Sequence, residues 1–438
     1  MRDPTAETLP WEAQAAADDA PYRVQVGYLF ERSDFYRHKL AAAGFRDAAS
    51  VGGLAAIAAL PLTEKDELRA SRTELHPIGA HLAAPMAEVV RIYSTSGTTG
   101  TPSYVPLTAA DLAQWVEISA RSYAASGIAG GDRLVSTYGA GPFVAGAALD
   151  AFGALGLCHI PVGPGNSDRL LASIDALAPA AIALTPSYAL HLAETAAARG
   201  IDLPASSVAR LLVAGEPGGG EPDLRARLQA AWGATVTEAM GIGDIAVSLW
   251  GECEAQDGMH FSGRGFVHVE LIDPDTGAAR PLEDGAEGEL VYTHLARRAA
   301  PLLRFRSRDH VRVHAGRCAC GRTAPRVRCI GRTDDMLIVR GVNLFPTAVR
   351  EVVAEFAPAV SGVVAVRPRR RGVKQEPPLP VTVELAQGQE PTAALAAEIA
   401  RRLRERLVVA AEVELVPWAS LPRTDYKSKL VDWTRAEG

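Results

Sequence analysis

The spacing of the hydrophobic residues changes along the chain, and each change marks a different kind of structure. The first ninety residues are rich in alanine, with short apolar stripes such as Tyr28, Leu29, Phe35 and Leu40 that predict helices. From about residue 89 to residue 241, short apolar runs alternate with segments of helical length. Strands that alternate with helices predict βαβ units and a mostly parallel sheet that is covered on both faces.

The second region can be divided into individual elements. Its predicted strands are residues 89–93, 133–138, 157–162, 181–185 and 211–214, and its predicted helices are residues 109–126, 146–155, 167–177, 188–199 and 221–232. In the first of these helices Leu112, Trp115 and Val116 keep helical spacing, and Thr108 is placed to cap it.

The last two regions differ from this pattern. After residue 261, alternating strands are separated by tight turns, of which Asp273-Pro274-Asp275-Thr276-Gly277 has the strongest turn signal. Near Arg332 a smaller unit begins, with a predicted order of strand 336–340, helix 345–356, strands 362–367 and 379–385, helix 392–407 and strand 412–417. We therefore expect an α/β fold. A large N-terminal domain (1–333) has parallel-sheet α/β layers and a β-rich subdomain, and a small α+β C-terminal domain (334–438) follows.

Composition narrows the class of protein. Of the 438 residues 48% are hydrophobic and 22% charged, which is ordinary for a globular protein with a sizeable core. The net charge of −6 provides no basic field for nucleic acid or an anionic membrane, and the basic run 367–374 is typical of a solvated turn. Five cysteines are too few for a disulfide framework, so we expect a cytoplasmic protein. No charge-free apolar run of about 20 residues occurs, so we expect no membrane span. The protein is expected to be a monomer or a homodimer.

A loop rich in hydroxyl groups follows the predicted strand 89–93. It reads Ser94-Thr95-Ser96-Gly97-Thr98-Thr99-Gly100. Glycines permit close approach of the backbone, and successive N–H and hydroxyl groups suit phosphate oxygens. The lysine and the spacing of a Walker loop are absent. A cradle for phosphate is favoured over a plain polar turn.

At this loop the chain begins to resemble the adenylate-forming superfamily of acyl-CoA synthetases, luciferases and peptide-synthetase adenylation domains, and it is most similar to the phenylacetate–CoA ligase branch. Eight segments carry the resemblance in the order of the family: 93–102, 138–143, 161–166, 213–217, 238–244, 304–309, 331–346 and 422–427. They are spread over about three quarters of the chain.

The resemblance implies roles for particular residues. Those expected to bind ATP or AMP are Ser94, Thr95, Ser96, Gly97, Thr98, Thr99, Gly100, Gly215, Glu216, Pro217, Asp309 and Arg332. Those expected to line the acyl pocket are Tyr138, Phe143, Ala214, Met240, Gly241, Ile242 and Gly243. The resemblance implies that adenine rests on the segment 213–217, called the adenine segment below, and that Asp309 holds the ribose hydroxyls. An ion pair of Asp309 with its neighbour Arg306 or Arg308 is the alternative, and both could hold.

Further roles concern the two chemical steps. When a carboxylate attacks the α-phosphorus of ATP two anions meet, so the site must supply positive charge. Lys427 is the expected catalytic cation, with Lys429 as the alternative. Asp244 stands where the family usually has glutamate and would hold Mg²⁺. Gly341 would let a thiol arm pass, and Asp334 would be the hinge on which the small domain rotates between the steps.

The cysteines suggest a second metal. Cys318 and Cys320 lie in one turn and Cys253 and His260 in another stretch, and two such pairs suit a tetrahedral, structural Zn²⁺ site. Relatives in the phenylacetate branch have similar elements. Cys329 is an alternative to His260, free buried thiols are the alternative to a metal site, and Cys158 is expected in the core.

Together these features predict an AMP-forming acid–thiol ligase. It would activate an aryl or arylacetic acid with ATP and Mg²⁺ and transfer the acyl group to a thiol, with coenzyme A expected as co-substrate. A carrier-protein phosphopantetheine or an amine is the alternative acceptor. A non-catalytic ligand-binding relative is disfavoured, because Lys427, Asp309, Arg332 and the hydroxyl-rich loop occur together.

Overall fold

The computed structural model describes residues 1–95, 103–139, 146–340, 342–423 and 429–437. Its helices are α1 (Pro4–Thr8), α2 (Trp11–Arg32), α3 (Asp34–Ala42), α4 (Ala48–Val51), α5 (Lys65–Ala70), α6 (Ala109–Ala125), α7 (Ala147–Ala154), α8 (Ser167–Leu177), α9 (Pro186–Ala198), α10 (Pro222–Trp232), α11 (Pro346–Ala354) and α12 (Ala393–Leu407). The strands of the N-terminal part are β1 (Val89–Thr95), β2 (Ser103–Thr108), β3 (Arg133–Ser136), β4 (Cys158–Pro161), β5 (Ala181–Leu184), β6 (Arg210–Ala214), β7 (Thr235–Ile242), β8 (Ala246–Glu252), β9 (Met259–Phe261), β10 (Val267–Ile272), β11 (Ala279–Arg280), β12 (Glu287–His294), β13 (Phe305–His314) and β14 (Arg326–Arg332). Those of the C-terminal part are β15 (Leu337–Val339), β16 (Val342–Leu344), β17 (Val360–Val366), β18 (Lys374–Gln375), β19 (Leu379–Leu385) and β20 (Ala411–Val416).

A mixed sheet dominates the N-terminal part, with the strand order β11-β10-β12-β13-β14-β9-β8-β7-β6-β5-β3-β4. Strands β4, β3, β5, β6 and β7 are parallel, and from β7 onwards the pairs are antiparallel. The expected α/β layers and the β-rich subdomain are therefore two halves of one continuous sheet.

Helices cover both faces of the parallel half, as the sequence predicts. Val135 and its neighbour Leu134 point to opposite faces because side chains alternate along a strand. On one face the strands pack against α8, α9 and α10, and on the other against α6 and α7. The predicted helix 167–177 agrees with α8 at both ends.

Two predictions about this region are wrong. The run 89–93 forms a strand, but among the described strands β1 pairs with β2 alone, in a separate antiparallel hairpin outside the parallel sheet. Cys158 is exposed, because β4 is the edge strand of the large sheet and lacks a neighbour on one side.

The C-terminal part contains two three-stranded sheets, β16-β15-β18 and β17-β19-β20, which share one apolar core with α11 and α12. This agrees with the predicted small α+β unit. The boundary at residue 333 stays a prediction.

Helix α6 is tied to a distant loop through its first turn. Thr108 Oγ1 accepts a hydrogen bond from Asp111 N at 3.2 Å, which confirms the predicted cap. The fully buried Asp111 carboxylate in turn accepts from the backbone N–H groups of Thr108, Arg298 and Ala299, at 2.7 to 3.0 Å. One side chain thus satisfies three backbone donors, two of them buried.

We expect Asp111→Ala to lower the free energy of unfolding by about 3 kcal/mol, because it leaves three backbone N–H groups, two of them buried, without their partner. Thr108→Ala, which removes only the cap, should cost about 1 kcal/mol. Urea midpoints of the two variants measure the difference, with Asp111→Asn as an intermediate control. Equal midpoints for Asp111→Ala and the natural protein would contradict this account.

Candidate active site

The nucleotide-binding residues predicted on strands β13 and β14 lie opposite each other. Asp309 and Arg332 are paired in the register of the two strands, and Arg332 Nη1 lies 3.3 Å from Asp309 Oδ1. Arg332 also donates to both carboxylate oxygens of Asp334, at 2.9 and 2.8 Å. Arg332 therefore links Asp309, which is predicted to bind the ribose, to Asp334, the predicted hinge.

The alternative role for Asp309 does not occur. Arg306 forms a two-nitrogen ion pair with Glu289, at 2.9 and 2.7 Å, and Arg308 pairs with Glu64 at 2.5 Å. Glu289 is fully buried. The two neighbouring arginines are thus occupied elsewhere.

Burial sets the charge behaviour of this pair. It raises the pKa of Asp309 to about 6, against the lowering effect of the Arg332 guanidinium. The pKa of Arg332 is raised by the carboxylates of Asp309 and Asp334 despite its own burial. Asp309 is therefore a carboxyl group whose charge changes close to neutral pH.

The predicted adenine segment leaves the carboxyl end of β6. Ala214 is the last residue of that strand, and Gly215 follows with a φ of +96°, a conformation that glycine adopts readily. Glu216 Oε1 accepts from Ser187 N at the start of α9, at 2.8 Å, and the carbonyl of Pro217 accepts from Arg350 at 2.8 Å. The segment is held from both sides.

Only part of the hydroxyl-rich loop lies within the described residues. Ser94 and Thr95 end β1, and Thr95 pairs with Ser103 at the start of β2. Ser96, Gly97, Thr98, Thr99 and Gly100 lie outside the described residues. Arg69 Nε donates to Ser103 Oγ at 3.2 Å, which places a guanidinium beside this position.

The predicted acyl-pocket residues lie around the ends of β3, β6 and β7. Tyr138 is buried, and its ring stacks 6.4 Å from that of Phe152. Met240 and Ile242 flank a bulge in β7, where a Cβ on Gly241 would lie 2.0 Å from Val247 O, so no side chain fits there. The other pocket residues are Ala214, at the end of β6, and Gly243, in the turn after β7. Phe143 lies outside the described residues.

The predicted magnesium ligand is paired with a lysine. Asp244 is buried in the turn between β7 and β8, and Lys65 Nζ at the start of α5 donates to its Oδ2 at 2.7 Å. Among the described residues no donor reaches Oδ1. A carboxylate with one oxygen available suits Mg²⁺, which binds through one or two carboxylates together with phosphates.

The remaining predicted residues concern the second step. Asp334 lies in the turn between β14 and β15, at the end of an element, as a hinge requires. Lys427 and Gly341 lie outside the described residues, so their roles stay predictions. The alternative cation, Lys429, is exposed.

Four predicted ligands meet in a compact cluster. One donor atom from each of Cys253, His260, Cys318 and Cys320 lies within 4.8 Å of all the others. The sulfurs of Cys253 and Cys318 lie 3.5 Å apart, and Cys320 Sγ lies 3.4 Å from His260 Nε2. A tetrahedral zinc site places such atoms about 3.8 and 3.6 Å apart, respectively, so the donor set fits Zn²⁺. Cys329 is not part of the cluster.

Sequence reasoning missed several residues at the site. Lys65 is 179 positions from Asp244, Glu64 reaches Arg308 from a distant segment, and Glu289 on the neighbouring strand β12 pairs with Arg306. Glu238 is buried behind the adenine segment, where a Cβ on Gly220 would lie 2.7 Å from its Oε2, and burial raises its pKa to about 7. No local pattern marks these residues, since the fold alone brings them together.

Comparison with known proteins agrees with this geometry. The sequence model of the AMP-binding enzyme family matches residues 20–294, and that of the AMP-binding enzyme C-terminal domain matches residues 341–435. Phenylacetate-coenzyme A ligase of Thermus thermophilus is 35% identical over 97% of this chain and 97% of its own length. Phenylacetate-coenzyme A ligase of Escherichia coli is 32% identical over 92% of this chain and 90% of its own.

Solved structures show the same architecture. The structure of 2-hydroxyisobutyryl-CoA ligase in the postadenylation state in complex with 2-HIB-AMP superposes with a TM-score of 0.90, at 29% identity, covering 99% of this chain and 93% of that chain. The same ligase with 2-HIB-AMP and CoA in the thioesterification state gives a TM-score of 0.72, at 30% identity over 99% and 92% of the two chains.

The fold and these relatives define an adenylate-forming enzyme. The chain belongs to the AMP-binding enzyme family, is similar to phenylacetate–CoA ligases, and is an AMP-forming acid–thiol ligase. Within the described ranges, no helix combines the length and the apolar composition that a membrane span needs.

Proposed function

We propose that this enzyme activates an aromatic carboxylic acid with ATP to an acyl-AMP and transfers the acyl group to coenzyme A, with release of pyrophosphate and AMP. One observation carries the proposal. Ala214, where the adenine segment begins, is paired in register with Ala239, where the acyl-pocket segment begins. Ligands of open α/β sheets bind outside the carboxyl ends of such strands, so nucleotide and acid would meet there.

The shape and chemistry of the pocket support an aromatic acid. Ala214 and Gly215 leave room at the end of β6, and half-buried Met240 offers a polarizable sulfur that favours contact with an aromatic ring. The phenylacetate–CoA ligases among the relatives point the same way. The 2-hydroxyisobutyryl-CoA ligase makes a short branched hydroxy acid the alternative.

In the proposed site, charged side chains would bind ATP and support the two chemical steps. Asp309 would accept hydrogen bonds from the ribose hydroxyls, and Arg332 would keep it ionised. Asp244 would hold Mg²⁺, which when bound neutralises phosphate charge during adenylation. Lys427 would bridge the acid and the α-phosphate, and Asp334 would act as the hinge for the second step.

The Cys/His cluster supports a structural zinc ion. Four protein ligands leave no open position for substrate, so the metal would stabilise the turn at Cys318 and the end of β8 without entering the reaction. With zinc bound, the four side chains would fix β8, β9 and the turn at Cys318 to one another.

We expect pyrophosphate exchange with ATP to proceed with phenylacetate and benzoate, and to be at least tenfold slower with 2-hydroxyisobutyrate, because a flat ring fills the pocket better. Mass spectrometry should then find the acyl-CoA when coenzyme A is added. Exchange with none of these acids would contradict the proposal, and faster exchange with 2-hydroxyisobutyrate would replace the aromatic substrate by the branched one. Exchange without a CoA product would shift the acceptor to a carrier or an amine.

Variants of two lysines control this experiment. Lys427→Ala should slow exchange by orders of magnitude, while thioester formation from supplied acyl-AMP survives. Lys429→Ala, two residues away, should leave both half-reactions intact. The reverse result would assign the catalytic role to Lys429.

Binding of adenosine should weaken about tenfold between pH 7 and pH 5. The pKa of Asp309 is about 6, so its carboxylate loses its charge, and part of its capacity to accept from the ribose, as the pH falls through that value. Adenosine has no phosphate, so its own charge stays constant in this range. Calorimetric titration of the natural protein and of Asp309→Asn measures the effect. An equal pH dependence in both proteins would remove Asp309 from the ribose site.

Metal analysis of the purified protein should find about one zinc per chain if the four ligands form a closed site. Cys318→Ala should lose the zinc and lower the melting temperature, with a smaller effect on pyrophosphate exchange. Cys158→Ala, outside the cluster, is the matched control. Less than a tenth of an equivalent of zinc, in folded protein never exposed to a chelator, would refute the site.

A further inference from the structure

Three arginines join the N-terminal part of the molecule to the C-terminal part. Arg350 of α11 binds Glu221 and the carbonyl of Pro217, Arg227 of α10 donates to Ser361 O at 2.6 Å, and Arg423 lies 3.6 Å from Glu194 of α9. We call these three contacts the interdomain clasp.

Arg350 makes the most extensive of the three contacts. Its Nε donates to Glu221 Oε2 at 3.1 Å, its Nη2 binds Glu221 Oε1, and the same Nη2 donates to Pro217 O at 2.8 Å. Arg350 is 8% exposed and Glu221 9%. A planar guanidinium suits such a buried two-nitrogen contact, which a lysine cannot reproduce.

Two glycines make room for the arginines of the opposite part. A Cβ on Gly218 would lie 3.1 Å from Arg350 Nη2, and a Cβ on Gly362 would lie 2.2 Å from Arg227 Nη1. Both glycines have positive φ values, +140° and +84°. The chain therefore carries a glycine at two of the three places where an arginine crosses, so the clasp depends on the backbone as well as on charge.

The clasp touches the segment that is proposed to bind adenine. Pro217 belongs to that segment, and Glu216 beside it accepts from Ser187 N, so α9 and α11 hold the segment from opposite sides. Any rotation of the C-terminal part that moves α11 must break the contact with Pro217 O. The orientation of this part is therefore linked physically to the nucleotide segment.

Comparison with two states of one relative indicates the orientation of the C-terminal part in which the clasp contacts are formed. The chain superposes better on 2-hydroxyisobutyryl-CoA ligase in the postadenylation state than on the same ligase in the thioesterification state, with TM-scores of 0.90 and 0.72 at nearly equal coverage. The clasp is thus observed in an arrangement close to the one that precedes thioester formation.

We propose that Arg350 and Glu221 are positioning residues that hold the C-terminal part in the orientation of the first half-reaction, and that this pair opens before the thioester forms. The inference rests on the two half-reactions of the proposed function. Neither side chain touches the reacting atoms. Their effect is on the relative orientation of the two parts.

A double-mutant cycle in the full-length enzyme tests this proposal. Arg350→Gln and Glu221→Gln should each slow formation of acyl-AMP about tenfold, and the double variant should be no slower than the worse single variant, so that the two positions are coupled about tenfold. Thioester formation from supplied acyl-AMP should stay within about twofold in all four proteins. Arg350→Lys, which retains the charge but has a single donor nitrogen, should form acyl-AMP faster than Arg350→Gln and more slowly than the natural protein.

An Arg–Glu pair within the C-terminal part provides the control. Arg402 binds Glu355 inside the C-terminal part, and among the described residues its polar partners all belong to that part, so Arg402→Gln with Glu355→Gln should change neither half-reaction. Equal coupling of residues 350 and 221 in both half-reactions would assign the pair a merely structural role, and no coupling in the first would also overturn the proposal.

Hydrogen–deuterium exchange separates this proposal from the proposed function. In the protein without substrates, Arg350→Gln should speed exchange in residues 217–221 and 360–364, while the core strand β19 stays as protected as in Arg402→Gln. Unchanged exchange in both segments would refute the clasp, even if the enzyme activates the expected acids. If the natural protein activates none of the acids tested, the proposed function fails, and this measurement still decides the clasp.

Discussion

The large sheet depends on one strand, β7, which is the junction of two different pairing patterns. On one side β7 is parallel to β6, and on the other it is antiparallel to β8. Its carboxyl end therefore lies where the parallel half, with the nucleotide segment after β6, meets the antiparallel half, to which the strands of Asp309 and Arg332 belong. A bulge at Met240 and Ile242, with Gly241 pressed against Val247 O, bends the strand at the point where the acyl pocket is proposed. The site is thus a consequence of how the two halves of the sheet meet.

Buried charges organise the region between this junction and the C-terminal part. Glu289 accepts from Arg306, from the backbone of Arg308 and from Thr333, which directly follows Arg332. A fully buried carboxylate is tolerated only when such partners satisfy it. Because its partners precede both Asp309 and Asp334 along the chain, this single glutamate links the strand that carries Asp309 to the residue before the predicted hinge. Arg332 is consequently free to pair with Asp309 and Asp334 rather than with Glu289.

Local patterns predicted those features that depend on neighbouring residues. Helix α8, the cap at Thr108 and the strand β19 agree with the sequence, because periodicity and capping act over a few positions. The prediction that β1 belongs to the parallel sheet was wrong, because an apolar run indicates a strand but does not determine which strand it pairs with. The pair Lys65–Asp244 could not be predicted, because 179 residues separate its members. The four Cys and His ligands were predicted from their types, and their convergence is a property of the fold.

The arginine contacts between the two parts suit an interface that would form and break in every catalytic cycle, as we propose for Arg350 and Glu221. An apolar interface of the same size would be costly to expose to water each time, whereas charged groups regain hydration when they separate. Buried ion pairs add little net stability but have a specific geometry. They can therefore define one relative orientation of the two parts and still separate. Arg350, Arg227 and Arg423 cross the boundary at separate points, and Gly218 and Gly362 provide the space for the first two. If the enzyme presents first a cation and then a thiol to the same acyl carbon, as we propose, contacts of this kind suit both steps, because each step would need an orientation that is well defined and short-lived.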